Sequence, residues 1–231
     1  MTNDRCNMIL YAANINALSD GRVFDSAYRA VSEERRKKTD ALRFDKDKYL
    51  SLGAELLLRK ALTDLGADIP EIKTLCNENG KPYLQGANDV FFNLSHSEDY
   101  VLCVVSDVES GCDIEKIKDF KDSLAKRVLS DSECADVQSK TTREEKNAAF
   151  FRYWTLRESY MKYTGLGLSL PYSDFAVTTG NGIGVIKNGE RQNVFLKEFR
   201  DIPGYACAVC ANMPLNKVTL SVTAIEKIVS K

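Results

Sequence analysis

Within "SGCDIEK", Ser110 to Lys116, two acids stand one residue apart, Asp113 and Glu115. In an extended segment, side chains at i and i+2 point to one face, about 6.6 to 6.8 Å apart along the strand. Two like charges so placed repel unless a cation or a cationic side chain lies between them, and paired oxygen ligands suit a hard ion such as Mg²⁺. The plain alternative is a pair that closes a strand and faces water.

A second group lies in "FFRYWTLRESYMKYTGLG", Phe150 to Gly167. At about 100° per residue, Ala149, Phe150, Tyr153, Leu156, Tyr160 and Met161 form the apolar face of a helix. Glu158 and Lys162, four apart, share its polar side, where an ordinary surface pair would be worth only about 0.2 to 0.5 kcal/mol. Arg157 is the misfit: it falls on the edge of the apolar face and needs a partner there. A third group, "GKP" at Gly80 to Pro82 and "NLSHS" at Asn93 to Ser97, offers Lys81, the Ser95 hydroxyl and His96, which suit an anion. Each also has an ordinary reading as a turn lysine, a loop serine and a surface histidine.

The elements that must position these groups follow from periodicity. A first strand is expected over Met8 to Asn14, a polar helical region over Asp25 to Lys38, and a long helix over Asp45 to Leu65, where Leu52, Leu56, Leu58, Leu62 and Leu65 mark an apolar stripe. Strands follow at Val90 to Leu94 and Tyr100 to Val105, joined by a polar loop "SHSED". Helical segments are expected at Ser123 to Ser139 and Glu144 to Tyr163, the second closed by Gly165 and Pro171. Strand-like runs come at Phe175 to Thr179, Gly184 to Lys187, Val194 to Glu198 and Tyr205 to Ala211. "DYVLCVVSD" and "GYACAVCAN" share Tyr and Val at matching offsets, each about 45 residues after a long helix, a weak internal duplication against a background of chance. The fold class expected is α+β, as two similar lobes over 1–106 and 107–231, each a small, mostly antiparallel sheet packed with a long helix.

The 231 residues carry 32 Lys plus Arg against 33 Asp plus Glu, a formal net charge of -1, so no global charge argues for nucleic acid or a membrane surface. No apolar run approaches the roughly 20 residues of a membrane span, and "MTNDRCNMIL" lacks the form of a signal peptide. Seven cysteines without framework spacing fit reduced thiols, and with one histidine in the chain a zinc site at "CAVC", Cys207 to Cys210, is not expected. A cytoplasmic protein is the expectation.

The order "GKP", "FNLSH", "GCDIE", "WTLRESYMK" resembles the phosphopantetheinyl transferases of the Sfp type, whose pattern runs GKP, FNxSH, G(I/V)DIE and WxxKExxxK. The similarity extends from about "RRKKTDALRF" to "GYACAVCA". It implies transfer of the 4'-phosphopantetheine arm of coenzyme A to a serine of an acyl or peptidyl carrier protein, releasing adenosine 3',5'-bisphosphate, with two lobes related by pseudo-twofold symmetry about the coenzyme. By position, it implies Asp113, Glu115 and Glu158 as Mg²⁺ ligands, with Glu158 or a metal-bound water as the base and Lys162 as the group that neutralises phosphate charge. Lys81, Ser95 and His96 match positions that hold the nucleotide and its phosphates.

Two departures stand out: Arg157 where the pattern has lysine, a phosphate contact with altered geometry, and Cys112 for Ile or Val. The basic cluster Arg35, Arg36, Lys37 and Lys38 falls where the resemblance implies contacts with the 3'-phosphate, with Arg35 and Lys38 the positions favoured. The carrier is implied to dock along Lys116, Lys118, Phe120 and "TGLGLSLP", although Leu166, Leu168 and Leu170 read equally well as core. A monomer is expected, because a duplicated chain completes its own cleft. The alternative function is a binding module that captures coenzyme A or a carrier without turnover; a more distant one is an unrelated Mg²⁺-dependent nucleotide enzyme.

Overall fold

A computed structural model describes residues 7–67, 72–180 and 182–229. The stretch before Asn7, part of the signal-peptide argument, lies outside them. The chain divides into two compact units, one made of Met1–Leu75, Pro82–Val108 and Val218–Lys231, the other of Cys76–Lys81 and Glu109–Lys217.

The first unit opens with β1 (Met8–Asn14), followed by α1 (Gly21–Ala30), α2 (Glu33–Asp40) and α3 (Asp45–Leu65). The polar helical region expected as one piece is thus two, because the Ser32 hydroxyl accepts from the Arg35 amide and starts a new helix there. The leucines of α3 pack inward, with Leu52, Leu56, Leu58 and Leu62 all buried, and Gly66 closes the helix in the left-handed region at φ 78°.

A hairpin of β2 (Thr74–Cys76) and β3 (Pro82–Leu84) precedes β4 (Phe91–Ser97) and β5 (Tyr100–Ser106). Here the expected polar loop is corrected: β4 runs on through Ser97, and only Glu98 and Asp99 turn the chain, Glu98 at φ 51°. The main sheet of this unit has the order β12-β1-β5-β4, with β1 antiparallel to β5. Its outer strand β12 (Leu220–Ala224) comes from the far end of the chain and pairs parallel to β1. Neither β12 nor the closing α7 (Ile225–Val229) was expected from sequence; Ile225 is fully buried in this unit's core.

The second unit contains β6 (Ser110–Lys116), α4 (Asp122–Val128), α5 (Asp131–Gln138) and α6 (Arg143–Thr164). The single helical segment expected over Ser123 to Ser139 is divided by Ser130, which forms a capping box with Glu133. A second capping box, Thr142 with Glu145, starts α6, and Gly165 ends it at φ 68°. After it come β7 (Phe175–Thr178), β8 (Gly184–Lys187) and β9 (Glu190–Arg191) in one small antiparallel sheet, then β10 (Phe195–Phe199) and β11 (Tyr205–Ala211). The order β10-β11-β6 makes an antiparallel sheet against which α6 packs. Each unit is therefore a small, mostly antiparallel sheet carrying one long helix, the α+β class expected.

Candidate functional site

On β6, Gly111, Asp113 and Glu115 share one face by their alternation. Their partners across on β11 are Cys210, Ala208 and Ala206, all small, which leaves room for a helix on that face. Gly111 makes the approach possible: a Cβ there would collide with the Ser159 carbonyl oxygen and the Tyr163 amide nitrogen of α6. The backbone of α6 thus rests on the strand itself.

This contact sets Lys162 over Asp113, and its ammonium donates to Asp113 Oδ1 at 2.7 Å. Asp113 is buried at 3 % exposure, in mid-strand rather than at a strand end. Burial lowers the Lys162 pKa, but Asp113, with Cys112 and Glu158 adding to its effect, outweighs burial and holds the group above its ordinary value. One turn earlier on α6, Glu158 is half-buried, and its carboxyl accepts from the Tyr172 hydroxyl at 2.6 Å. Burial is the main force raising the Glu158 pKa, and the nearby Asp113 charge adds to it, while Tyr172, Lys162 and Arg157 oppose. Two carboxyl groups in each other's field, with one ammonium between strand and helix, form the electrostatic centre of this unit.

Among the described residues, no group of three or more His, Cys, Asp or Glu side chains is drawn together to hold a metal. Asp113 carries the Lys162 ammonium and Glu158 the Tyr172 hydroxyl, while Glu115 follows Asp113 on the same face of β6. The donors present still suit a hard divalent cation: they are all carboxylate oxygens, two of them repel each other, and a cationic group already stands on one.

The other expected residues fall as follows. Lys81 belongs to this unit and donates to Glu109 Oε2 at 2.5 Å and to the carbonyl oxygens of Ser110 and Tyr163 at 3.2 and 3.1 Å, pinning the last turn of α6. Ser95 and His96 are neighbours on β4 in the first unit and so point to opposite faces of its sheet, Ser95 buried and His96 exposed. Arg35 Nε reaches Glu55 Oε2 at 3.3 Å, and Lys38 pairs with Glu34 four residues back at 2.7 Å, both within the first unit.

Arg157 requires a correction. It was expected on a phosphate, yet it is 1 % exposed and its Nη1 donates to both oxygens of the equally buried Glu133 at 2.8 and 2.7 Å. The partner that the helical wheel demanded is a carboxylate of the protein. Of the proposed docking run, Phe120 and Leu170 are core and Leu166 is exposed, while the Leu168 side chain lies outside what is described. Cys207 and Cys210 are buried free thiols on β11 whose pKa values burial pushes up.

Sequence reasoning missed Tyr172, Glu133 and Gly111. Glu133 carried a readable signal, the Ser-x-x-Glu pattern from Ser130; Tyr172 carried none.

Residues 109–210 match the model of the 4'-phosphopantetheinyl transferase superfamily, and residues 20–109 match that of the 4'-phosphopantetheinyl transferase N-terminal region. The 4'-phosphopantetheinyl transferase gsp of Aneurinibacillus migulanus is 32 % identical over 210 residues, covering 90 % of this chain and 86 % of that protein. The 4'-phosphopantetheinyl transferase Sfp of Bacillus subtilis (strain 168) is 31 % identical over 187 residues, 80 % of this chain and 83 % of its own. With both parts of the chain matched, and at this identity over most of its length, the chain belongs to the Sfp-type 4'-phosphopantetheinyl transferase family.

Proposed function

We propose that this protein moves the 4'-phosphopantetheine arm of coenzyme A onto a serine of an acyl or peptidyl carrier protein, in a Mg²⁺-dependent reaction in the cytoplasm. The observation that carries the reading is the Asp113–Lys162 contact with Glu158 beside it, in a chain of this family. The carrier serine Oγ attacks the phosphorus next to the pantetheine, an O–P bond forms, and the bond to the departing adenosine 3',5'-bisphosphate breaks. The serine proton goes to the Glu158 carboxylate, a general base on the helix face that also carries Lys162. Lys162, kept protonated by Asp113, stabilises charge on the phosphate as the leaving oxygen departs.

Asp113, Glu115 and Glu158 would hold the Mg²⁺. When bound, the ion cancels repulsion between these carboxylates and the diphosphate and orients the group under attack. Lys81, Ser95, His96, Arg35 and Lys38 are proposed to hold the nucleotide end; for Lys81 this means that a phosphate competes with the half-exposed Glu109.

The test is to incubate the protein with Mg²⁺, coenzyme A and a panel of apo carrier proteins and to read intact masses. A carrier that gains the phosphopantetheine mass, only with Mg²⁺ and not with Asp113→Ala, is the expected result. Tight coenzyme A binding with every carrier unchanged would replace this reading with that of a binding module.

A further inference from the structure

Tyr172 begins a short 3-10 turn (Tyr172–Asp174) directly after Pro171. Its hydroxyl meets Glu158 Oε1 at 2.6 Å, and three further contacts fix where that hydroxyl lies. The ring packs beside Trp154, 6.3 Å between centroids, and the Arg157 guanidinium carbon lies 5.8 Å from its centre. Its main-chain carbonyl accepts from Arg157 Nη2.

Arg157 is itself held by Glu133, whose Oε1 also accepts from the Val177 amide at 2.6 Å and whose Oε2 accepts from the Ser130 amide at 2.7 Å. A buried ion pair is expensive to desolvate and adds little net stability over an apolar pair. What this one does is tie the segment from Tyr172 to Val177 to α5 and α6. That segment carries the hydroxyl on Glu158.

We propose that Tyr172 is the positioning residue for Glu158, its hydroxyl fixing the carboxyl group while the buried Arg157–Glu133 pair fixes Tyr172. The inference rests on the transferase reading, in which Glu158 receives the serine proton. A glutamate swings about three side-chain torsions, whereas a proton acceptor must lie within about 2.6 to 3.2 Å of its donor. Small displacements of such a group are costly to rate. The hydroxyl removes that freedom.

The test uses Tyr172→Phe, which keeps the ring on Trp154 and deletes the oxygen. Circular dichroism should match wild type, kcat for transfer at a temperature well below the melting transition should fall about tenfold or more, and KM for coenzyme A and for the apo carrier should stay unchanged. A second readout needs no turnover. In metal-free protein labelled with ζ-¹³C tyrosine, the Tyr172 resonance, assigned by its contacts to the chain's one tryptophan, should shift in Glu158→Gln. This second readout stands even if the Tyr172→Phe protein does not fold. Wild-type kcat in Tyr172→Phe, or a Tyr172 resonance indifferent to Glu158→Gln, overturns the positioning role while transfer by the wild type stands. No transfer by the wild type to any carrier overturns the transferase reading, and this inference with it.

Discussion

The Lys162 ammonium lies 2.7 Å from Asp113 Oδ1 and joins the last turn of α6 to the middle of β6. Lysine and aspartate are 49 residues apart, and the contact exists because Gly111 lets the helix backbone reach the strand.

Lys162→Met should leave the Asp113 carboxylate buried without its cation. Loss of a hydrogen bond to a charged group costs about 1.5 to 3 kcal/mol, read as a lower urea midpoint at unchanged slope. Mg²⁺ should raise the melting temperature of this variant more than that of wild type, since the ion then has no ammonium to displace. An equal response to Mg²⁺ in both proteins, or none in either, would count against Asp113 as a ligand.

Gly111→Ala should destabilise by about 1 to 3 kcal/mol, because the new methyl must push the helix backbone and no flexible side-chain tip can yield. Transfer should fall together with stability as Lys162 moves off Asp113. A variant with wild-type melting temperature would show that β6 and α6 are less closely packed.

Arg157→Met should cost roughly 3 to 5 kcal/mol, since Glu133 is left charged and buried. Replacing Glu133 with Leu as well should recover part of the loss, and the double-mutant cycle in urea denaturation measures the coupling. Recovery will be incomplete, because Glu133 also accepts from the Ser130 and Val177 amides. If Arg157 instead bound a phosphate, Arg157→Met would raise KM for coenzyme A at nearly unchanged stability.

Much of this arrangement was legible in the sequence, for definite reasons. The α3 and α6 helices announce themselves because their apolar residues recur at helical spacing and a glycine in the left-handed region closes each, Gly66 and Gly165. The shared face of Asp113 and Glu115 follows from strand alternation alone. The wheel also showed that Arg157 needed a partner, but its partner sits 24 residues away on another helix, a distance no local pattern spans. Ser95 to Ser97 read as loop because polar residues are common in turns, whereas two-residue turns such as Glu98–Asp99 let a strand continue almost to its partner. The pairing of β12 with β1 was invisible because parallel pairing across more than 200 residues leaves no local signal.

The Glu55 carboxylate gives a pH test in the first unit. Burial alone would raise its pKa, but hydrogen bonds from the Ser32 amide and hydroxyl and from Arg59 win, and the folded value lies below the ordinary 4.5. The sign follows: a depressed folded pKa adds stability that is fully present above the unfolded value and is lost as pH falls through the folded one. Glu55→Gln should therefore unfold more easily than wild type at neutral pH, by about 1.5 to 3 kcal/mol, with the gap narrowing once the pH drops below the carboxylate range. Urea midpoints measured across that range check it, and a gap independent of pH would remove the charge from the explanation.

The outer strand β12 has a consequence for synthesis. When the ribosome has released the chain through Lys217, every residue of the second unit is available, yet β1 still lacks the neighbour on its open side. An uncovered strand edge invites pairing with other chains. Until Leu220–Ala224 lies down beside β1, that edge stays adhesive, and docking of β12 is the step that ends the exposure.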